Sequence, residues 1–149
     1  MKTDASIRNI SVAAVKRSIR QGLVSTSTKI YEGETIPEGI DSIFNLIAFY
    51  EGELPISHTV IDAENWTLVT SRRIISCIGG IINVAEAANV KYWDWGDFKA
   101  SGKTDYTQGY VKLDDDEKVE ILIETREASM IIIYSIMTLV RQLRKYDSQ

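Results

Sequence analysis

The sequence predicts an α+β domain: a strongly bent antiparallel sheet, in effect a β-barrel closed by a C-terminal helix and preceded by two N-terminal helices. Three observations carry that prediction. Lys118–Glu124 alternates, with Val119, Ile121 and Ile123 set between Lys118, Glu120 and Glu124, the period of a strand with one buried face. Residues 127–145 switch to helical spacing, with Ile132, Ile136, Leu139, Val140 and Leu143 on one stripe. Between residues 57 and 124 nothing helical separates the short β-like runs, which disfavours parallel βαβ units.

The first helix is expected over residues 5–21, where Val12, Val15 and Ile19, then Leu23, recur at helical spacing and Gly22 is placed to end it. Polar residues 25–28 and Glu32-Gly33-Glu34 read as a loop. A second helix is expected from Pro37, which suits a first turn, to about Tyr50. Ile40, Ile43, Phe44 and Ile47 form its stripe, and Glu51–Pro55 stops it. Strands follow at 59–62 and 66–70 around Ala63-Glu64-Asn65, then at 73–78 and 81–84 around Gly79-Gly80. Two more, 90–98 and 106–113, flank the turn signal Ala100-Ser101-Gly102-Lys103, and Asp114–Glu117 is the tip before the last strand. The closing helix starts at Glu127 and carries Arg141, Arg144 and Lys145 at its end, as the helix dipole favours. Met130, Ile131, Ile133 and Tyr134 make its other side apolar too, so it is expected to be covered on more than one side.

With 149 residues, 44% hydrophobic and 26% charged, the chain is expected to be one globular domain over 1–149, with residues 1–55 packed as a helical extension on the rest. A net charge of −4 argues against nucleic acid as a partner. The lone cysteine, Cys77, lies among isoleucines and reads as an inert buried thiol in a reducing compartment. The longest apolar stretch, 128–140, is too short to span a bilayer, which needs about 20 residues. No signal-peptide pattern opens the chain, so the cytoplasm is the expected location.

Trp66-Thr67-Leu68-Val69-Thr70-Ser71-Arg72-Arg73-Ile74-Ile75-Ser76 resembles the strand–turn–strand signature of bacterial pleckstrin-homology-like domains, in which a Thr-x-x-Arg turn joins two core strands. An aromatic strand ending at Phe98, a later hairpin and a terminal amphipathic helix extend the similarity over about residues 57–146. The resemblance implies a half-open barrel with a helix plugging one end, serving as a binding or scaffolding module. Family members that bind phosphoinositides carry basic residues at the first hairpin. Here that turn is Asp62-Ala63-Glu64-Asn65, which is acidic and argues against such recognition.

Catalysis would have to use His58, the one histidine, for any Ser-His or Cys-His arrangement. One His and one Cys cannot build a tetrahedral zinc site, so neither metal nor cofactor is expected. Asp114–Glu117 lacks calcium-loop spacing and reads as a solvated tip. Asp94 and Asp97 could form a carboxylate pair, and Gly79-Gly80 lacks the continuation of a phosphate loop. Trp93 and Trp95 are the candidate binding residues. In a strand they share one face, with Tyr92 and Phe98 on the other, so one face is either covered by the N-terminal helices or used for contact. Residues 1–22 carry five basic groups against Asp4, a local net of +4, which leaves −8 for the remainder. Such a helix can dock on an acidic body or on an anionic membrane. The sequence thus predicts a non-enzymatic module acting through protein contacts or self-association. A peripheral membrane module is the alternative, and a small enzyme the third reading.

Overall fold

The structure is a computed structural model, and it describes residues 2–31 and 47–147. Helix α1 (Asp4–Ser18) begins where Thr3 accepts a hydrogen bond from Ser6 N at 3.1 Å, with Asp4 in the first turn and Lys16 and Arg17 in the last. It ends three residues before the expected position. Ile19 is extended (φ −107, ψ 156), and Gly22, at φ 79, serves a separate turn instead of a helix cap.

Among the described residues eight strands follow: β1 (Thr28–Ile30), β2 (Pro55–Asp62), β3 (Asn65–Thr70), β4 (Arg73–Ile78), β5 (Ile81–Glu86), β6 (Val90–Asp94), β7 (Tyr106–Leu113) and β8 (Lys118–Glu124). All pairings are antiparallel. They form a five-stranded sheet in the order β1-β2-β3-β4-β5 and a three-stranded sheet in the order β6-β7-β8. One bent sheet forming a barrel closed by the C-terminal helix was expected, yet among the described residues the strands form two sheets that no ladder joins. A 3-10 turn at Ala87–Asn89 carries the chain from one sheet to the other. Side chains bridge them where β8 crosses β3 and β4: Ser76 Oγ donates to Glu120 O at 2.5 Å, and Leu122 N donates to Thr67 Oγ1 at 2.9 Å. These hydroxyls take up backbone groups that a barrel ladder would otherwise pair.

Helix α2 (Ser129–Asp147), after a 3-10 turn at Arg126–Ala128, lies on the inner faces of both sheets. Its Ile132, Ile136, Leu139 and Val140 share the main core with Ile56, Val69, Ile74, Val111, Ile121 and Ile123. Its other side meets α1, where Gln142 Nε2 donates to Ile7 O (3.2 Å) and Ser11 Oγ (2.9 Å). The N-terminal helix therefore packs on the closing helix and not over the aromatic strand. Double coverage explains why the start of α2 is apolar all round, since Ile131 and Ile133 are buried too.

The five-stranded sheet is buried on its outer face as well, over β2, β3 and β4. Tyr31, Trp66, Leu68, Ile75 and Cys77 form a second cluster, with Ile47, Phe49 and Val60 packed against it. The helix expected over 37–50 lies mostly outside the described residues, and its last four, 47–50, are not helical. Side chains bind their backbone instead. Arg73 Nη2 donates to Ala48 O at 3.1 Å, and Tyr50 N donates to Glu53 Oε1 at 2.9 Å.

Candidate functional site

The aromatic segment bends before it reaches Phe98. Strand β6 stops at Asp94, whose Oδ1 accepts from Gly96 N at 2.8 Å, and Gly96 turns at φ 63. A side chain there would collide with β7, because a Cβ on Gly96 would lie 2.6 Å from Gln108 O. Trp93 and Trp95 still share a side. Their rings stack at 5.7 Å with 21° between planes, half-buried against the main core. Tyr92, 52% exposed, is the aromatic on the surface. Asp94 and Asp97 do not form a carboxylate pair for chemistry. Asp97 holds the next turn, accepting from Ser101 N (3.0 Å), Ser101 Oγ (2.6 Å) and Gly102 N (2.6 Å).

His58 is buried on the outer sheet face, with Nδ1 2.7 Å from Tyr31 Oη and the two rings edge-on at 5.2 Å. Burial first, then the positive charge of Lys29, lowers its pKa to about 4. Cys77 lies on β4, and burial pushes its thiol up. In the strand register Leu68 and Trp66 of β3 stand between His58 and Cys77, so the structure does not bring them together. The Thr-x-x-Arg turn instead builds a buried ion pair. Arg73 grips Glu53 through Nε (2.9 Å) and Nη2 (2.7 Å), Thr70 Oγ1 donates to the same carboxylate, and the guanidinium lies 4.0 Å over the Tyr50 ring. Burial alone would raise the Glu53 pKa, but the Arg73 and Thr70 hydrogen bonds outweigh it and hold the carboxyl below its ordinary range. This cluster fastens residues 48–54 to the sheet. Among the described residues no group of three or more His, Cys, Asp or Glu side chains could hold a metal ion.

Two surface features remain. The first is the β5 edge. Among the described residues no strand pairs with its free side, yet it exposes Ile81 (68%), Ile82 (38%) and Val84 (44%). Large aliphatics on an open edge are what folded proteins usually avoid. The sequence predicts a strand at 81–84 but not its open edge, because Ile-Ile-Asn-Val after Gly-Gly looks like any core strand until its position in the sheet is known. The second is a cleft of about 710 Å³ between the end of α1, β1 and α2. Lys16, Arg20 and Lys29 line it over Ile19, Leu23 and Ile131, and Arg20 is held by Glu127 at 2.8 Å. Val24, 82% exposed, projects from the loop beside it. No helix of the described residues is long and apolar enough to cross a membrane.

Comparison with family models, with curated proteins and with solved structures finds no match to this chain. The candidate sites rest on geometry alone.

Proposed function

We propose that the chain is a non-catalytic binding or scaffolding module of pleckstrin-homology-like fold, acting through protein contacts, with β5 as its docking strand. The fold reading is supported by the order of elements: the β2–β5 meander, the β6–β8 sheet, then a helix across both. One observation carries the function: aliphatic side chains and an unpaired backbone edge coincide on β5. An exposed edge binds by accepting one more strand, with backbone bonds giving affinity and alternate side chains giving selectivity. Trp93 and Trp95, half-buried, enter as a secondary contact. Catalysis is left out because the one histidine is buried, bonded to Tyr31 and neutral near pH 7.

A display selection of random peptides against the chain tests this. Enriched peptides should carry aliphatic residues at alternate positions and lose binding to the Ile82→Lys variant. No enrichment, or equal binding to that variant, defeats the reading.

A second reading, contact with an anionic membrane, is favoured by Val24, 82% exposed on the loop whose neighbours Leu23 and Ser25 line the cleft with Lys16 and Lys29. Co-sedimentation with phosphatidylglycerol vesicles, reduced by Val24→Asp and absent with neutral lipid, would support it.

A further inference from the structure

The backbone of β5 shows which of its groups are free. Gly79 and Gly80, at φ 60 and 82, form the two-residue turn between β4 and β5, so Ile78 and Ile81 close the hairpin as a hydrogen-bonded pair. Such pairs alternate along an antiparallel ladder, which places the next ones at Ser76–Asn83 and Ile74–Ala85. The alternation holds to the end of the hairpin, where Ala87 N donates to Arg72 O at 3.0 Å. The N–H and C=O groups of Ile82 and Val84 therefore point away from β4, towards the open edge. These same two residues expose their side chains on the outer face, opposite Cys77 and Ile75.

Resting on the reading of β5 as a docking strand, we propose that its occupant is β5 of a second copy of this chain, paired antiparallel about a two-fold axis at Asn83. In that register Ile82 of each copy faces Val84 of the other as a hydrogen-bonded pair. Free backbone groups meet free backbone groups, and aliphatic meets aliphatic on the outer face. Ile81 faces Ala85, and Asn83 faces its own counterpart in the closer, non-hydrogen-bonded spacing. A slip of one residue would set outer-face side chains against inner-face ones. Nothing charged lies within Ile81–Ala85, so no like charges oppose each other, and neither lysine nor proline blocks the edge. Glu86, next along, is engaged by the Tyr50 hydroxyl of its own chain. One short strand pair buries less than the roughly 1,200–2,000 Å² of stable complexes, so the pairing is weak and concentration-dependent.

The test is sedimentation of the full chain from micromolar to millimolar concentration, together with hydrogen exchange at both ends of that range. The mass should rise towards the dimer, and the Ile82 and Val84 amides should slow with concentration while the Asn83 amide does not change. Ile82→Lys or Val84→Lys should weaken self-association by at least about tenfold. Under mild oxidation Asn83→Cys should form a covalent dimer, because the closer spacing suits a disulfide, whereas the wild type, with Cys77 buried, should not. A chain that stays monomeric while both amides exchange freely overturns self-pairing, as does a dimer indifferent to Ile82→Lys. If selected peptides still bind the edge of such a chain, only self-pairing falls; if they do not, the docking reading falls with it.

Discussion

His58 is neutral in the folded chain down to its pKa of about 4, whereas an unfolded chain takes up a proton near the ordinary value of 6.5. Between those values the unfolded state binds more protons, so stability is full above pH 6.5 and is lost as pH falls towards 4. The shift corresponds to about 3 kcal/mol. Urea melts between pH 7 and 4.5 should show this decline, and His58→Gln, which keeps a partner for Tyr31, should flatten it. An unchanged slope in the variant would place the titration elsewhere. Glu53 and Asp4 do not confuse the window, since both are held below their ordinary range and lose their contribution at lower pH. Nothing in the sequence distinguishes His58 from a solvent-facing histidine at a strand start. Its burial depends on Tyr31, which reaches it from the far side of residues 32–46.

Among the elements, α2 bears the largest share of the main core, and the spacing of its isoleucines and leucines makes that stripe legible in the sequence. Ile136→Ala should cost about 2–5 kcal/mol, as truncation of a fully buried aliphatic does, while Asp115→Ala at the exposed β7–β8 tip should leave the urea midpoint in place. Equal shifts would mean that the core lies elsewhere. The meander is legible for a local reason: Ala63-Glu64, Gly79-Gly80 and Asp114–Glu117 each mark a turn that needs no distant partner. The misses are non-local. β1 is three residues without a pattern, made a strand by pairing with Ser57–Thr59. β6 ends early because Gly109 admits the backbone of Trp95, since a Cβ there would lie 2.4 Å from Asp94 O. The β5 edge is invisible for the same reason, as a sequence shows a strand but not which side of it stays open.

For the molecule as a whole, packing α1 on α2 means that the first and last described helices meet along one seam, through Gln142, Ile7 and Ser11. Its basic end lies beside the acidic Glu127, so the charge asymmetry read from residues 1–22 is partly met within the chain. Glu124 closes the neighbouring junction. Buried at the end of β8, it accepts hydrogen bonds from Thr26 N (2.9 Å), Ser27 N (2.9 Å) and Thr28 Oγ1 (2.7 Å). That carboxylate imposes an order of events. β1 can pair with β2 about thirty residues on, but its hydrogen bonds to Glu124 need a residue 96 positions further along the chain, so during synthesis this junction closes only after most of the protein has emerged. Closure of this junction is expected to follow the rate-limiting barrier. Glu124→Ala should speed unfolding and leave the refolding rate unchanged in stopped-flow chevrons. On that expectation the junction is a kinetic latch, with the Glu124 bonds of residues 26–28 closing late on the way in and opening early on the way out.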